Sequence, residues 1–99
     1  MRAVCRVFST ESVPRIKVLV SVGKRHLRHA VDRNRAKRQL REAYRTRKAS
    51  LSDVLPEGKG LHIAFIWMSD KPETTARVEH ALARLLHNIE EYVQTFSEA

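Results

Sequence analysis

Eleven lysines and arginines crowd the 25 residues from Lys24 to Lys48, at positions 24, 25, 28, 33, 35, 37, 38, 41, 45, 47 and 48. Only Asp32 and Glu42 oppose them, so this stretch holds +9 in a chain whose formal net charge is +8. The other 74 residues sum to −1 and form a nearly neutral scaffold. Cations at this density suit a polyanion, because arginine offers phosphate a planar donor fork and lysine adds an untethered point charge. Their confinement to one segment reads as a binding surface, the plainer alternative being a solvated helix face. Nucleic acid ranks ahead of an anionic membrane as the partner.

The remaining reactive side chains are poorly placed for hydrolysis. Acidic residues are scattered, and no Ser/His/Asp or Cys/His set is suggested by spacing, which speaks against an autonomous nuclease. His80 and His87 fall on one face of a helical stretch but lie seven residues apart with no nearby cysteine, so solvated histidines are preferred to metal ligands. His26 and His29 add positive charge to the basic segment below neutral pH or serve as polar loop filler. Tyr44, Phe65 and Trp67 have rings that stack on bases in single-strand readers. Phe65 and Trp67 nevertheless share a strand face with Leu61 and Ile63, which favours core packing.

The elements that must carry these residues form one small domain over 1–99. Hydrophobic residues at 42% and charged residues at 30% describe a folded, soluble protein. No long apolar segment follows Met1 and Arg2, and the longest apolar run, Ile63 to Met68, is too short to span a bilayer. The lone Cys5 has no internal disulfide partner and lies in an apolar-rich stretch. It is expected to be a buried or half-buried thiol in a reducing cytoplasm.

Residues Arg2 to Phe8 alternate as a strand, with Ala3, Cys5 and Val7 on one face and Arg2, Val4, Arg6 and Phe8 on the other. Arg15 to Val22 alternates again, and turn residues between the two runs suggest a hairpin. From about Ala30 to Arg45 the period becomes helical, capped by Asp32 or a residue slightly earlier. Ala49 to Gly60 reads as a loop, and Leu61 to Met68 as a strand buried on both faces. Ser69, Asp70 and Pro72 signal a final helix with Val78, Leu82, Leu85, Ile89 and Tyr92 along one stripe, running to about Phe96. The order β-β-α-β-α defines an α+β fold, a small mixed sheet with helices packed on it.

On a wheel of about 100° per residue with Ala36 at zero, Ala36, Leu40, Ala43 and Tyr44 form the core face. Asn34, Lys37, Arg38, Arg41, Arg45 and Lys48 share a sector about 100° wide, well away from it. The pairs Lys37–Arg41 and Arg41–Arg45 are like-charged at i, i+4 and cost a few tenths of a kcal/mol each in an isolated helix. A bound polyanion relieves that repulsion. Asn34 can donate and accept towards a base edge, a ribose hydroxyl or a phosphate.

Arg33-Asn34-Arg35-Ala36-Lys37-Arg38-Gln39-Leu40-Arg41-Glu42-Ala43-Tyr44-Arg45 closely resembles the signature helix of the bacterial ribonuclease P protein family, RNRxKRxxREA followed by an aromatic. The strand and connector before it, with the basic pair Lys24 and Arg25, are similar to that family's strand-to-helix passage. The resemblance implies a left-handed βαβ crossover, against the right-handed default. It also implies a division of labour. A catalytic RNA binds Mg²⁺ and cleaves, while the protein, with no cofactor or catalytic side chain of its own, contacts that RNA and the 5′ leader of precursor tRNA. Arg33, Asn34, Arg35, Lys37, Arg38 and Arg41 take the motif positions facing the RNA, and Lys24 and Arg25 match the basic pair. Arg28 and Arg45 join them by geometry. Neither a membrane nor DNA is an expected partner.

Two departures qualify the resemblance. The family usually begins with an additional helix before the first strand, so the leader-binding cleft is expected to lose one wall. The stretch from His26 to Asp32 is one residue longer than in many members, which suggests a bulged connector. The competing reading is a general RNA- or DNA-binding module that uses the basic helix in a groove. Neither a zipper heptad nor a two-helix DNA-reading pattern supports DNA, whereas folded RNA suits a rigid basic helix on a sheet.

Overall fold

The computed structural model describes residues 1–11 and 13–95. Three strands, β1 (Arg2–Ser9), β2 (Ile16–Ser21) and β3 (Lys59–Ile66), and three helices, α1 (Ala30–Arg45), α2 (Lys48–Val54) and α3 (Thr75–Gln94), follow in the order β-β-α-α-β-α. The fold is α+β, as expected, with one more helix. Phe96, the expected end of the last helix, lies outside the described residues.

The sheet has the order β1-β3-β2, with β3 antiparallel to β1 and parallel to β2. The expected β1–β2 hairpin is therefore replaced by two long-range pairings through β3. The hydrophobic pattern explains the choice. Leu61, Ile63 and Phe65 of β3 are at most 2% exposed, and the central position covers them on both sides. Cys5 pairs with Ile63 on one flank and Val18 with Ile63 on the other. Each such fully buried aliphatic side chain contributes roughly 1.5–3 kcal/mol.

Only one face of β3 is buried, a second correction. His62 on the opposite face is exposed, and Ala64 and Ile66 are half-buried. Alternation therefore runs through all three strands, and the helices cover one face alone. Gly60 lies opposite Phe8. A Cβ there would come within 2.5 Å of the Phe8 ring, so the glycine leaves the space the ring occupies.

Helix α1 has the expected bounds, and of the two caps expected it has the earlier one, not Asp32. His29 holds the N-cap position without a side-chain bond, and its carbonyl accepts from the Arg33 amide at 3.1 Å. Asp32 sits in the first turn, where a carboxylate complements the helix dipole. Helix α2 stands where a loop was expected. Leu51 and Leu55, four residues apart and at most 5% exposed, pull this short polar segment onto the core as a helical turn. The Ser50 hydroxyl donates to Glu90 on α3 at 2.8 Å.

Helix α3 begins later than expected. Thr74 is its cap, accepting from the Arg77 amide at 3.3 Å, whereas Ser69 bonds Glu73 at 2.9 Å in the preceding loop. Its buried stripe is Val78, Leu82, Leu86, Ile89 and Val93. The helix is thus turned slightly from the expected orientation, with Leu85 half-buried and Tyr92 exposed. Phe65 and Trp67 belong to the core, and Tyr44 packs on Phe65 with ring centroids 6.2 Å apart.

Candidate nucleic-acid interface

Helix α1 anchors itself through Ala36, Leu40 and Ala43, each at most 2% exposed. Its opposite side is thereby committed to solvent. Asn34, Arg35, Arg38, Arg41 and Arg45 are exposed, and Lys37 is half-buried at the margin. From Asn34 to Arg45 the exposed band extends about 16 Å along the helix axis.

Side-chain partners divide the ten residues singled out from the sequence. Among the described residues, Lys24, Arg25, Arg28, Asn34, Arg35, Lys37, Arg38 and Arg41 make no side-chain hydrogen bond or ion pair. Arg45 is engaged, its Nε donating to Glu42 Oε2 at 3.0 Å and its Nη2 to Oε1. These bonds hold the Glu42 carboxyl below the usual carboxylate range and raise the already high pKa of the guanidinium. Arg33 is also engaged, its Nη1 donating to two backbone carbonyls. Eight of the ten are thus available to a ligand without breaking an internal bond.

The connector before α1 is folded. Gly23 carbonyl oxygen accepts from the amides of His26 at 3.2 Å and Leu27 at 3.1 Å, and Leu27 is buried. His26 Nδ1 lies 2.8 Å from Asp70 in the β3–α3 loop, so this histidine is more than loop filler. On the far helix His87 pairs with Glu91 at 3.0 Å, and among the described residues no group of three His, Cys, Asp or Glu side chains gathers as for a metal ion.

A second surface was not identified from the sequence. On the open sheet face the Phe8 and His62 rings meet at a tilt of 55° with centroids 4.5 Å apart, and the Arg6 guanidinium lies 5.8 Å from the Phe8 centroid. Lys17 and Arg6 both pair in register with His62 from opposite sides. Val4 and Leu19, 48% and 64% exposed, continue this shallow groove as an apolar floor. The alternation that puts Arg6 and Lys17 on outer faces was legible in β1 and β2, whereas β3, read as buried on both faces, gave no sign of an exposed His62. Their convergence depended on β3 lying between β1 and β2.

Comparison with known proteins agrees with the signature helix. The family model described as Ribonuclease P matches residues 2–90. A protein of Porphyromonas gingivalis named ribonuclease P protein component is 43% identical over 90 residues, covering 90% of this chain and 66% of the relative. Proteins of the same name from Chlorobium phaeobacteroides and Chlorobaculum tepidum are 37% and 41% identical, covering 77% and 79% of this chain and 58% and 59% of those relatives. The chain therefore spans about two thirds or less of the length of these relatives. No solved structure matches it significantly. No helix among the described residues is long and apolar enough to cross a membrane. With the motif on the exposed side of α1 and the match extending over nearly the whole chain, this protein belongs to the ribonuclease P protein family.

Proposed function

We propose that this chain acts in the cytoplasm as the protein subunit of ribonuclease P, the ribonucleoprotein that removes the 5′ leader from precursor tRNA. The observation that carries this reading is the set of eight unpartnered side chains along α1 and its connector. In this role Lys24, Arg25, Arg28, Asn34, Arg35, Lys37, Arg38 and Arg41 face the catalytic RNA. Arg45 joins them when Glu42 releases it. Each cation that reaches a phosphate releases condensed counterions, so association is driven by salt-sensitive entropy.

The open sheet face has the chemistry for the single-stranded leader. The Phe8 and His62 rings offer stacking surfaces to unpaired bases, and Arg6 and Lys17 lie within reach of the backbone between them. The two surfaces let one small protein hold catalytic RNA and substrate together and lower the repulsion between two polyanions. Mg²⁺ and the cleavage step belong to the RNA in this scheme. The protein's contribution is binding and orientation.

The test is cleavage of a precursor tRNA by a bacterial ribonuclease P RNA at low Mg²⁺, with and without the protein, and with the protein alone. Stimulation that requires the RNA is the expected result. Binding without stimulation would leave a generic RNA-binding module, and cleavage by the protein alone would overturn the division of labour.

A further inference from the structure

Arg33 belongs to the signature by sequence but is set apart from the stripe by geometry. On the helical wheel it falls about 60° from Ala36, between Leu40 and Tyr44 on the core side. It is half-buried, and its Nη1 donates to the carbonyl oxygens of Leu27 at 3.1 Å and Arg28 at 2.9 Å. A cation near a helix N-terminus opposes the helix dipole, so its place there needs compensating acceptors. The two carbonyls supply them.

We propose that Arg33 is a positioning residue, holding the connector so that Lys24, Arg25 and Arg28 stand in register with the cations of α1. The connector is fastened at three places. Leu27 is buried, His26 meets Asp70, and the Arg33 guanidinium bridges the last two carbonyls before His29. Of these the Arg33 bridge is a side-chain tie from the connector to the helix that bears the stripe, beside the backbone bond from the Arg33 amide to the His29 carbonyl. The three cations it serves have no side-chain partner among the described residues and project from that braced backbone. A guanidinium suits this task because its donors are fixed in one plane and its charge strengthens both bonds. Arg33 therefore affects RNA affinity through residues other than itself. The inference rests on the RNA-binding reading proposed above.

The experiment measures binding of the full chain to a transcribed bacterial ribonuclease P RNA over a range of salt concentrations. Arg33→Gln is expected to weaken binding at least about tenfold. In a background carrying Lys24→Ala, Arg25→Ala and Arg28→Ala the same change should have almost no further effect, whereas with Arg38→Ala and Arg41→Ala it should act in full. Arg33→Lys, which keeps the charge but loses the planar fork, should behave like Arg33→Gln and should shift the NMR amide signals of residues 24–28 while leaving those of 36–44 in place. Equal effects of Arg33→Gln in both backgrounds, or rescue by lysine, would mean direct contact with RNA and would overturn the proposal. Failure of the unaltered protein to bind this RNA would instead refute the functional reading on which it rests.

Discussion

Helices α1 and α3 bury apolar stripes in the same core, yet their charges diverge. Helix α1 carries six cations against two carboxylates, a net +4, whereas α3 carries Arg77 and Arg84 against Glu79, Glu90 and Glu91, a net −1. Having a buried stripe therefore does not set a helix's charge, and the two stripes themselves differ. Helix α3 spends 20 residues on a five-residue buried stripe that spans the core, while α1 meets the core mainly through two alanines and a leucine. Small side chains on the inner face of α1 bring its backbone close to the fold and leave its long side chains for solvent. One helix chiefly supplies stability, and the other chiefly displays charge.

The strongest test of this contrast is Leu82→Ala. Leu82 is fully buried, and the truncation should cost about 2–5 kcal/mol in urea unfolding. The salt dependence of RNA binding by the protein that remains folded should not change. A steeper or shallower salt slope would mean that α3 also belongs to the interface.

Arg38→Ala with Arg41→Ala should do the reverse. The slope of log affinity against log salt should fall by about 1.4–1.8 as two phosphate contacts are lost. Unfolding stability should hold or rise slightly as like-charge repulsion along α1 is relieved. An unchanged slope would remove the stripe from the interface.

Glu42→Gln sharpens the account of α1 itself. It frees Arg45 and should strengthen RNA binding modestly, with a steeper salt slope. Because bonding to Arg45 lowers the folded-state pKa of Glu42, the pair's contribution to stability is present above the unfolded carboxylate value of about 4.3 and is lost as pH falls through the lower folded value. NMR titration of the Glu42 carboxyl should give a midpoint below that unfolded value, and a midpoint at or above it would argue against the clamp. The smallest effect is expected from Arg77→Gln with Arg84→Gln on α3, which should leave the salt slope of binding as it was.

The elements differ in how far the sequence revealed them. Helix α1 was readable to its ends because its period and its charge segregation repeat within a few residues. Helix α2 was not, since Ser50, Ser52, Asp53 and Pro56 resemble loop chemistry and only the burial of Leu51 and Leu55 makes a turn of helix favourable there. Most of the RNA-facing candidates lie on exposed positions. Arg33, which the resemblance had facing the RNA, does not: it is half-buried and bonded to the connector.

By itself the sequence determined the alternating faces of β1 and β2, the bounds of α1 and the concentration of cations on its outer side. These follow from periodicities of two and 3.6 residues, which are local. Tertiary structure alone decided that β3 separates β1 from β2, that Phe8, His62, Arg6 and Lys17 share one open face, and that Arg33 turns inward to the connector. Each depends on segments distant in sequence, or on a side chain choosing between partners, and the choice rests on which arrangement buries the most apolar surface while leaving no polar group unmatched.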